Sequence, residues 1–481
     1  MNKLVGIDVG TSSLKVMVTN EKLEVLDTYR VDYGINQPFP HWAEQDPNRW
    51  WNAVCGSFQA LNLDGCSITI GLSGQMHGLV AVDVYGQPVR PSIIWADNRS
   101  SEELQKILLH ANKENVYNIW LGTLLPSLLW VKENEPEVYS KIDKVMLPKD
   151  YIRYKLTGEI ATEHSDACGT GAYSFFTQNW DFDLLEKLGI NPSLFPPIHR
   201  STDIAGMLIP EVAHQLMISE QSKVAYGGSD HSMQLLGNSI FSKGILNCNI
   251  GTGSQISLTS KFHKNKRLEG LSIFSHAVGD LTNIVGTSLN GGSVLQWVKG
   301  LAGGTFSYTE FDRLAEGVSV GSNDLVFLPY LNGERNHPHA KGVFFGLTTS
   351  HTLAHLVRAT MEGMIYGLRD ILEDFKNSGL EYERVISSGG GTKSRVLLQM
   401  QADIFDCDIY VCDTKEQAAM GAAIIAGLSI GTFESLGSVE HLLKSKMKLM
   451  ASPIKENVEE YRKGFELFRK VYNRNFREGI E

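Results

Sequence analysis

The chain has 481 residues, which provides for roughly two to four domains with sizeable cores. Its 42% hydrophobic and 20% charged content is that of an ordinary globular protein, and a formal net charge of −10 argues against nucleic acid as a partner. No apolar run approaches the ~20 residues of a membrane span, and the first residues lack the apolar core and cleavage site of a signal peptide, so no membrane partner and a cytoplasmic location are expected.

Residues 4–7 are apolar and read as a strand that delivers Asp8 to the turn Gly10-Thr11-Ser12-Ser13, followed by an alternating strand over 14–18. Amides and hydroxyls of such a turn converge on one spot and suit a phosphate, with Asp8 holding it through Mg²⁺ or its waters. An ordinary hairpin, in which Asp8 satisfies turn amides, accounts for the same residues. Trp42, Trp50 and Trp51 form either a sugar-stacking face or part of a core. A strand over 68–72 runs into SGQMHG (73–78), where Met76 and His77 either line a pocket or pack structurally. A strand over 93–95 leads to Asp97 and Arg99 and a helix from 100. A strand over 145–147 precedes Pro148-Lys149-Asp150 and a helix over 151–156. A strand over 224–226 empties into GGSDHS (227–232), placing Asp230 at a strand end, where α/β folds expose functional groups. Asp230 serves equally as the N-cap of a helix over 233–236.

A domain boundary is placed at 241–244, dividing the chain into 1–241 and 242–481. Just beyond it, LNCNIGTGSQISLT (246–259) repeats the opening plan: strand, Gly251-Thr252-Gly253-Ser254, strand. Val9-Gly10-Thr11 and Ile250-Gly251-Thr252 lie 241 residues apart, half the chain, as a duplicated domain would place them. Helices are expected over 292–301, 353–375, 395–404, 417–426 and 458–477, the last with an aromatic stripe read as core. A strand over 325–330 enters the loop LNGERNHPHAKG, whose His337-Pro338-His339 lacks further metal ligands nearby. Residues 385–387 form a strand into Gly389-Gly390-Gly391-Thr392-Lys393-Ser394, where missing side chains leave room for a flat base or ribose against the backbone. The short basic run 261–267 is a solvated hairpin tip. Strands and helices alternate in both halves, which argues α/β. Six scattered cysteines without a CxxC pair are expected as free thiols.

Taken in order, GIDVGTSSLK (6–15), HWAEQDPNRWW (41–51), GLSGQMHG (71–78), IIWADNR (93–99), KVMLPKDYIRYKLTGE (144–159), SDACGT (165–170), YGGSDHS (226–232), NIGTGS (249–254), FLPYLNGER (327–335), SSGGGTKS (387–394) and AAMGAA (418–423) resemble the FGGY carbohydrate kinases over nearly the whole chain. The resemblance implies two duplicated actin/ribonuclease-H-like domains with an interdomain active-site cleft. It implies ATP-dependent phosphorylation of a terminal hydroxyl of a small sugar, with ATP and Mg²⁺ as cofactors and a homodimer as the assembly. D-xylulose is the first expectation; another ketose, a pentitol, an aldonate such as gluconate, or a sensor that has lost catalysis are the alternatives. By motif, Asp8 and Asp230 are the metal carboxylates, and Asp230 is also the catalytic base. Met76, His77, Asp97 and Asp230 contact the sugar. Thr11, Ser12 and Lys15 form the first phosphate turn and Gly251, Thr252 and Gly253 the second, while Gly389, Gly390, Gly391 and Ser394 hold adenosine. Three departures bear on the sugar: His231 where relatives usually carry Asn, Ser229 where Gly is common, and a short loop over 332–341.

Overall fold

A computed structural model of the chain describes residues 3–61, 63–112, 118–261, 268, 270–334 and 338–476. Residues 262–267 of the basic run, 335–337 of the polar loop with its His337, and Arg477 lie outside the described residues. The chain forms two compact units. One comprises the described residues of Met1–Phe241, Ile273–Thr282 and Thr414–Ser445; the other those of Ser242–Ser272, Asn283–Asp413 and Lys446–Glu481. The linear division at 241 therefore differs from the compact units, which are interleaved along the sequence.

The sheet of the first unit holds β1 (Lys3–Val9), β2 (Ser13–Thr19), β3 (Val25–Asp32), β4 (Ile68–Gly74), β5 (Ile204–Met207), β6 (Lys223–Ala225) and β7 (Gly228–Ser229). Its order is β5-β6-β4-β1-β2-β3, with β7 also pairing with β4. β1 runs antiparallel to β2 and parallel to β4. Leu4, Val5, Ile7 and Val9 are all wholly buried, which is why this strand reads as an unbroken apolar run rather than an alternating one.

Between β3 and β4 lies α1 (Pro47–Ala60), a helix the sequence reading passed over. Its start signal is plain in retrospect: Asp46 accepts from the Asn48 amide, and Pro47 occupies the first helical position. Trp50 and Trp51 belong to the core this helix closes, whereas Trp42 lies against the Arg99 guanidinium, 3.5 Å from ring centre to Cζ. Further along are α2 (Pro148–Thr157), which begins at its proline rather than at 151, and α3 (Asp230–Gly237).

The second sheet holds β8 (Ile245–Ile250), β9 (Ser254–Lys261), β10 (Ser272–Ser275), β11 (Leu281–Ser288), β12 (Arg384–Ser388), β13 (Ile409–Cys412) and β14 (Met447–Ala451) in the order β10-β11-β9-β8-β12-β13-β14. Helices α4 (Gly292–Leu301), α5 (Leu353–Asn377), α6 (Arg395–Phe405), α7 (Gln417–Ser429) and α8 (Lys455–Phe476) complete the principal elements. β8 is antiparallel to β9 and parallel to β12, β12 is parallel to β13, and β13 is antiparallel to β14. β1 has the same relations to β2 and β4, β4 to β6, and β6 to β5. One long helix precedes the strand that runs parallel to the first in each sheet, α1 before β4 and α5 before β12. The fold is a duplicated α/β unit.

α7 is apolar all round, as a fully enclosed helix must be, and it packs in the first unit against β1, β4 and α3. The approach is backbone to backbone. A Cβ on Gly6 would fall on the carbonyl of Ala419, and one on Gly71 on the carbonyl of Ala422. Likewise Gly421 of α7 lies against the Met233 carbonyl and Gly237 of α3 against that of Gln417. A segment late in the chain thus fixes the strand of Asp8 to the helix of Asp230.

Candidate active site

Asp8 and Asp230 are brought to one end of the first sheet by register. Asp8 on β1 lies opposite Ser73 on β4, and Ser73 lies opposite Gly228 on β7, two residues before Asp230. Ser73 Oγ donates to Asp8 Oδ1 at 2.9 Å, so this carboxylate is held across strands rather than by turn amides. Asp230 is the first residue of α3, and Ser229 is its N-cap, accepting from the Ser232 amide at 3.3 Å. The capping role open to Asp230 is therefore filled by its neighbour. Asp230 Oδ1 accepts from the His231 amide at 2.7 Å.

The electrostatics follow from the placement. Burial raises the Asp8 carboxyl above its ordinary range against the lowering pull of Lys15. Asp230 keeps some accessible surface but is surrounded by protein, and burial followed by the charge of Asp8 pushes it up to about 7. A carboxylate titrating near neutrality, at the end of a sheet and the start of a helix, is suited to general base work. Among the described residues no cluster of three or more His, Cys, Asp or Glu side chains makes an all-protein metal cage. Two neighbouring carboxylates do fit Mg²⁺, which takes one or two carboxylate oxygens and completes its shell with phosphate and water.

The two glycine turns share a deeper likeness than their sequences. In the first, Tyr33 Oη donates to Gly10 O at 2.5 Å, Gln45 Nε2 to Thr11 O at 2.7 Å, and the Tyr33 amide to Ser12 O at 2.9 Å. All three carbonyls are engaged, while the Thr11 and Ser12 amides have no acceptor among the described residues. In the second, the Gly292 amide donates to Gly251 O at 2.8 Å, the Ser293 amide to Thr252 O at 3.1 Å, and Gly251 N to Gly253 O at 2.9 Å. Again the carbonyls are turned away and the Thr252 and Gly253 amides are left over. Such a pair of open amides is a nest for an anion. Two first-turn side chains are already occupied: Thr11 Oγ1 accepts from Trp95 Nε1 at 2.8 Å, and Lys15 Nζ pairs with Glu416 at 2.8 Å.

The backing of the second turn by Asn290-Gly291-Gly292 was not read from the sequence. A Cβ on Gly291 would come within 2.5 Å of the Gly253 backbone, and Asn290 Nδ2 donates to Gly333 O at 2.8 Å. The signal available was a glycine pair opening the helix at 292. The third glycine stretch turns sharply: Gly389 has a φ of 79°, and residues Gly390–Lys393 form a single 3₁₀ turn before α6. Ser394 is the α6 N-cap, accepting from the Leu397 amide at 3.1 Å and donating to Asp312 at 2.7 Å.

Met76 and His77 sit with aromatic residues that carry no motif. His77 holds a φ of 75°, rare and strained for a side-chain-bearing residue, and strain of this kind clusters at functional sites. Its Nδ1 meets Gly169 O at 2.6 Å, so that nitrogen carries the proton. The ring meets the edge of Trp120 at 5.2 Å and Phe274 at 6.2 Å, and Phe274 in turn lies 5.9 Å from His231. His231 Nε2 is buried without a hydrogen-bond partner, and burial, followed by the nearness of His276 and His77, pushes that imidazole down to about 4. Asp97 is engaged differently. Its Oδ2 accepts from the Ala43 amide at 2.6 Å, and both oxygens bind Arg99, which points to positioning rather than direct contact.

A duplicated actin/ribonuclease-H-like fold with paired carboxylates at strand ends defines a class of phosphotransferases. Within it, the chain belongs to the FGGY family of carbohydrate kinases: residues 3–237 match the family's N-terminal domain and residues 246–430 its C-terminal domain. The xylulose kinase of Staphylococcus xylosus is 34% identical over 98% of this chain and 100% of its own length. The gluconokinase of Bacillus subtilis is 30% identical over 95% of this chain and 93% of its own. The crystal structure of a Brucella ovis xylulose kinase superposes with a TM-score of 0.91 at 28% identity, covering 98% of this chain and 99% of that one. The chain is a sugar kinase, and ATP is its co-substrate.

Proposed function

We propose that the chain phosphorylates the terminal hydroxyl of D-xylulose, giving D-xylulose 5-phosphate. The observation that carries this reading is the strand register that brings Asp230, the first residue of α3, to the end of the sheet that also carries Asp8. An alcohol is a poor nucleophile until its proton has somewhere to go; Asp230 accepts that proton as the oxygen approaches the γ-phosphorus, a contribution of roughly 10²–10⁴-fold. Bound at Asp8, Mg²⁺ supplies neutralisation of phosphate charge. The open amides of Thr11 and Ser12 bind phosphate oxygens, with Lys15 releasing Glu416 to join them, and the open amides of Thr252 and Gly253 are a phosphate turn of the same kind. Gly389, Gly390 and Gly391 pass beneath the adenosine, with Ser394 holding the end of that turn. Met76 and His77 receive the sugar, His77 through Nε2, and Asp97 keeps Arg99 and the 43–45 segment in place behind them.

Kinship to xylulose kinases at 34% identity favours the ketose. So does the chemistry around His231, where Met76, His77, Trp120 and Phe274 bring no fixed cation and His231 itself is neutral at physiological pH. An aldonate such as gluconate, which relatives of lower identity phosphorylate by name, would place a carboxylate there without a counter-charge. The deciding assay is ADP release with Mg·ATP fixed and single sugars added in turn: D-xylulose, D-ribulose, pentitols, gluconate, glycerol and a blank. Turnover dominated by D-xylulose is expected. Dominance of gluconate would replace the substrate, and silence throughout with nucleotide still bound would leave a sensor. We place the enzyme in the cytoplasm as a homodimer, which light scattering in solution tests.

A further inference from the structure

Behind Asp230 lies a cluster of charge that the reaction above does not use. Lys149, Asp150 and Arg153 on α2 meet Glu163 and Asp166 with every one of the five side chains wholly buried. Lys149 Nζ lies 2.7 Å from Asp150, 3.1 Å from Asp166 and 3.4 Å from Glu163, and Arg153 lies 2.6 Å from Asp150. Three carboxyls face two cations. Burial raises the Asp166 carboxyl well above the usual carboxylate range. Buried ion networks add little stability over apolar packing of the same volume, so stability alone does not account for this one.

Its hydrogen bonds lead in one direction. Glu163 accepts from the Ser165 amide at 2.8 Å, the Asp166 amide at 2.9 Å and Ser201 Oγ at 2.7 Å. It also accepts from Ser165 Oγ at 3.0 Å. With its proton given to Glu163, the Ser165 hydroxyl presents a lone pair, and that oxygen accepts from the Ser229 amide at 3.0 Å. Ser229 is the N-cap of α3 and the residue before Asp230.

We propose that Ser165 and Glu163 are positioning residues for Asp230: the buried cluster fixes the carboxylate of Glu163, Glu163 fixes the polarity of the Ser165 hydroxyl, and Ser165 holds the Ser229 amide so that Asp230 is aimed at the acceptor hydroxyl. This rests on Asp230 being the base. Ser165→Ala leaves the Ser229 amide buried without an acceptor and frees the turn to shift, and a misplacement on the scale of 1 Å costs on the order of 10–100-fold in rate.

The test is a double-mutant cycle on kcat, run with Ser165→Ala, Asp230→Asn and the pair in the full chain, with the KM for ATP and the thermal midpoint followed alongside. Ser165→Ala is expected to lower kcat by roughly 10–100-fold with the KM for ATP unchanged, and to have no further effect once Asp230 is Asn. Equal losses in both backgrounds, or no loss in either, would overturn the proposal. Full activity in Asp230→Asn alone would instead remove the base itself. Should Ser165→Ala fail to fold, Glu163→Gln carries the same cycle, since an amide in that place no longer dictates which way the Ser165 hydroxyl points. The same outcomes decide it.

Discussion

At the scale of single residues, Asp230 makes the sharpest demands. Asp230→Asn should keep the fold and nucleotide binding while lowering kcat by roughly 10²–10⁴-fold, read from initial rates and ADP titration. The base must be ionised to accept a proton, so kcat/KM should rise with pH and level off above about 7, the value to which burial and Asp8 push it. Stability should move the other way. A carboxyl whose affinity for its proton is raised by folding keeps that proton in the native state between the ordinary carboxylate range and about 7, while the unfolded chain has lost it, so stability falls as pH rises through that window. Melting temperatures of Asp230→Asn should therefore exceed wild type more at pH 8 than at pH 5; a constant gap would contradict the buried-charge account. If the imidazole receives the sugar as proposed, with its Nδ1 tied to Gly169, His77→Ala should raise the sugar KM at least tenfold and leave that of ATP alone. Equal effects on both substrates would make His77 structural. Asp8, His77 and Asp230 stand out in the sequence because each sits where an apolar strand breaks into a polar turn. Trp120 and Phe274 were not. They come from segments without periodicity or motif and meet His77 only after the chain has folded, so nothing local marks them.

Elements add constraints of a different kind. The second turn keeps its amides open because Gly291 lets another backbone approach it, so Gly291→Ala should push the Thr252-Gly253 segment out of line. An increase of about tenfold in the KM for ATP, with the sugar KM unchanged, is the expected result of losing one or two charge-assisted hydrogen bonds. An unaltered KM would show that the turn does not bind phosphate. On the other side, Gly71→Ala places a methyl group on the Ala422 carbonyl of α7 and should destabilise the protein by more than ~3 kcal/mol in urea unfolding. Gly34→Ala, where nothing lies within 4 Å, should fall within about 0.5 kcal/mol of wild type. Long helices such as α5 and α6 were read within two residues of their ends because their apolar stripes are strong. α1 is absent from the sequence reading although Asp46-Pro47 announces it; Trp50 and Trp51 read as a sugar-stacking face or as core, and neither reading by itself specifies a helix. The Gly6 and Gly71 contacts are unreadable in one dimension: a glycine inside a strand says that something comes close, not what.

For the whole molecule, the duplication showed itself through a three-residue echo at half the chain length, and the strand relations of the two sheets bear it out. What no repeat could reveal is that residues 414–445 pack with the first unit and not with their sequence neighbours. This has a consequence for synthesis. A ribosome releases the chain from its first residue onward, and domains ordinarily fold as they emerge. Here β1 and β4, which carry Asp8 and its partner Ser73, emerge with their glycine faces bare and stay so until α7 leaves the exit tunnel. At ~5–20 residues per second, the stretch from residue 241 to residue 429 represents on the order of ten seconds or more, during which an apolar seam waits for its cover. A nascent chain of this protein should therefore need chaperone cover while its second half is made: a fragment ending at 241 should be recovered insoluble, whereas co-expression with a fragment carrying 242–481 should restore it to solution.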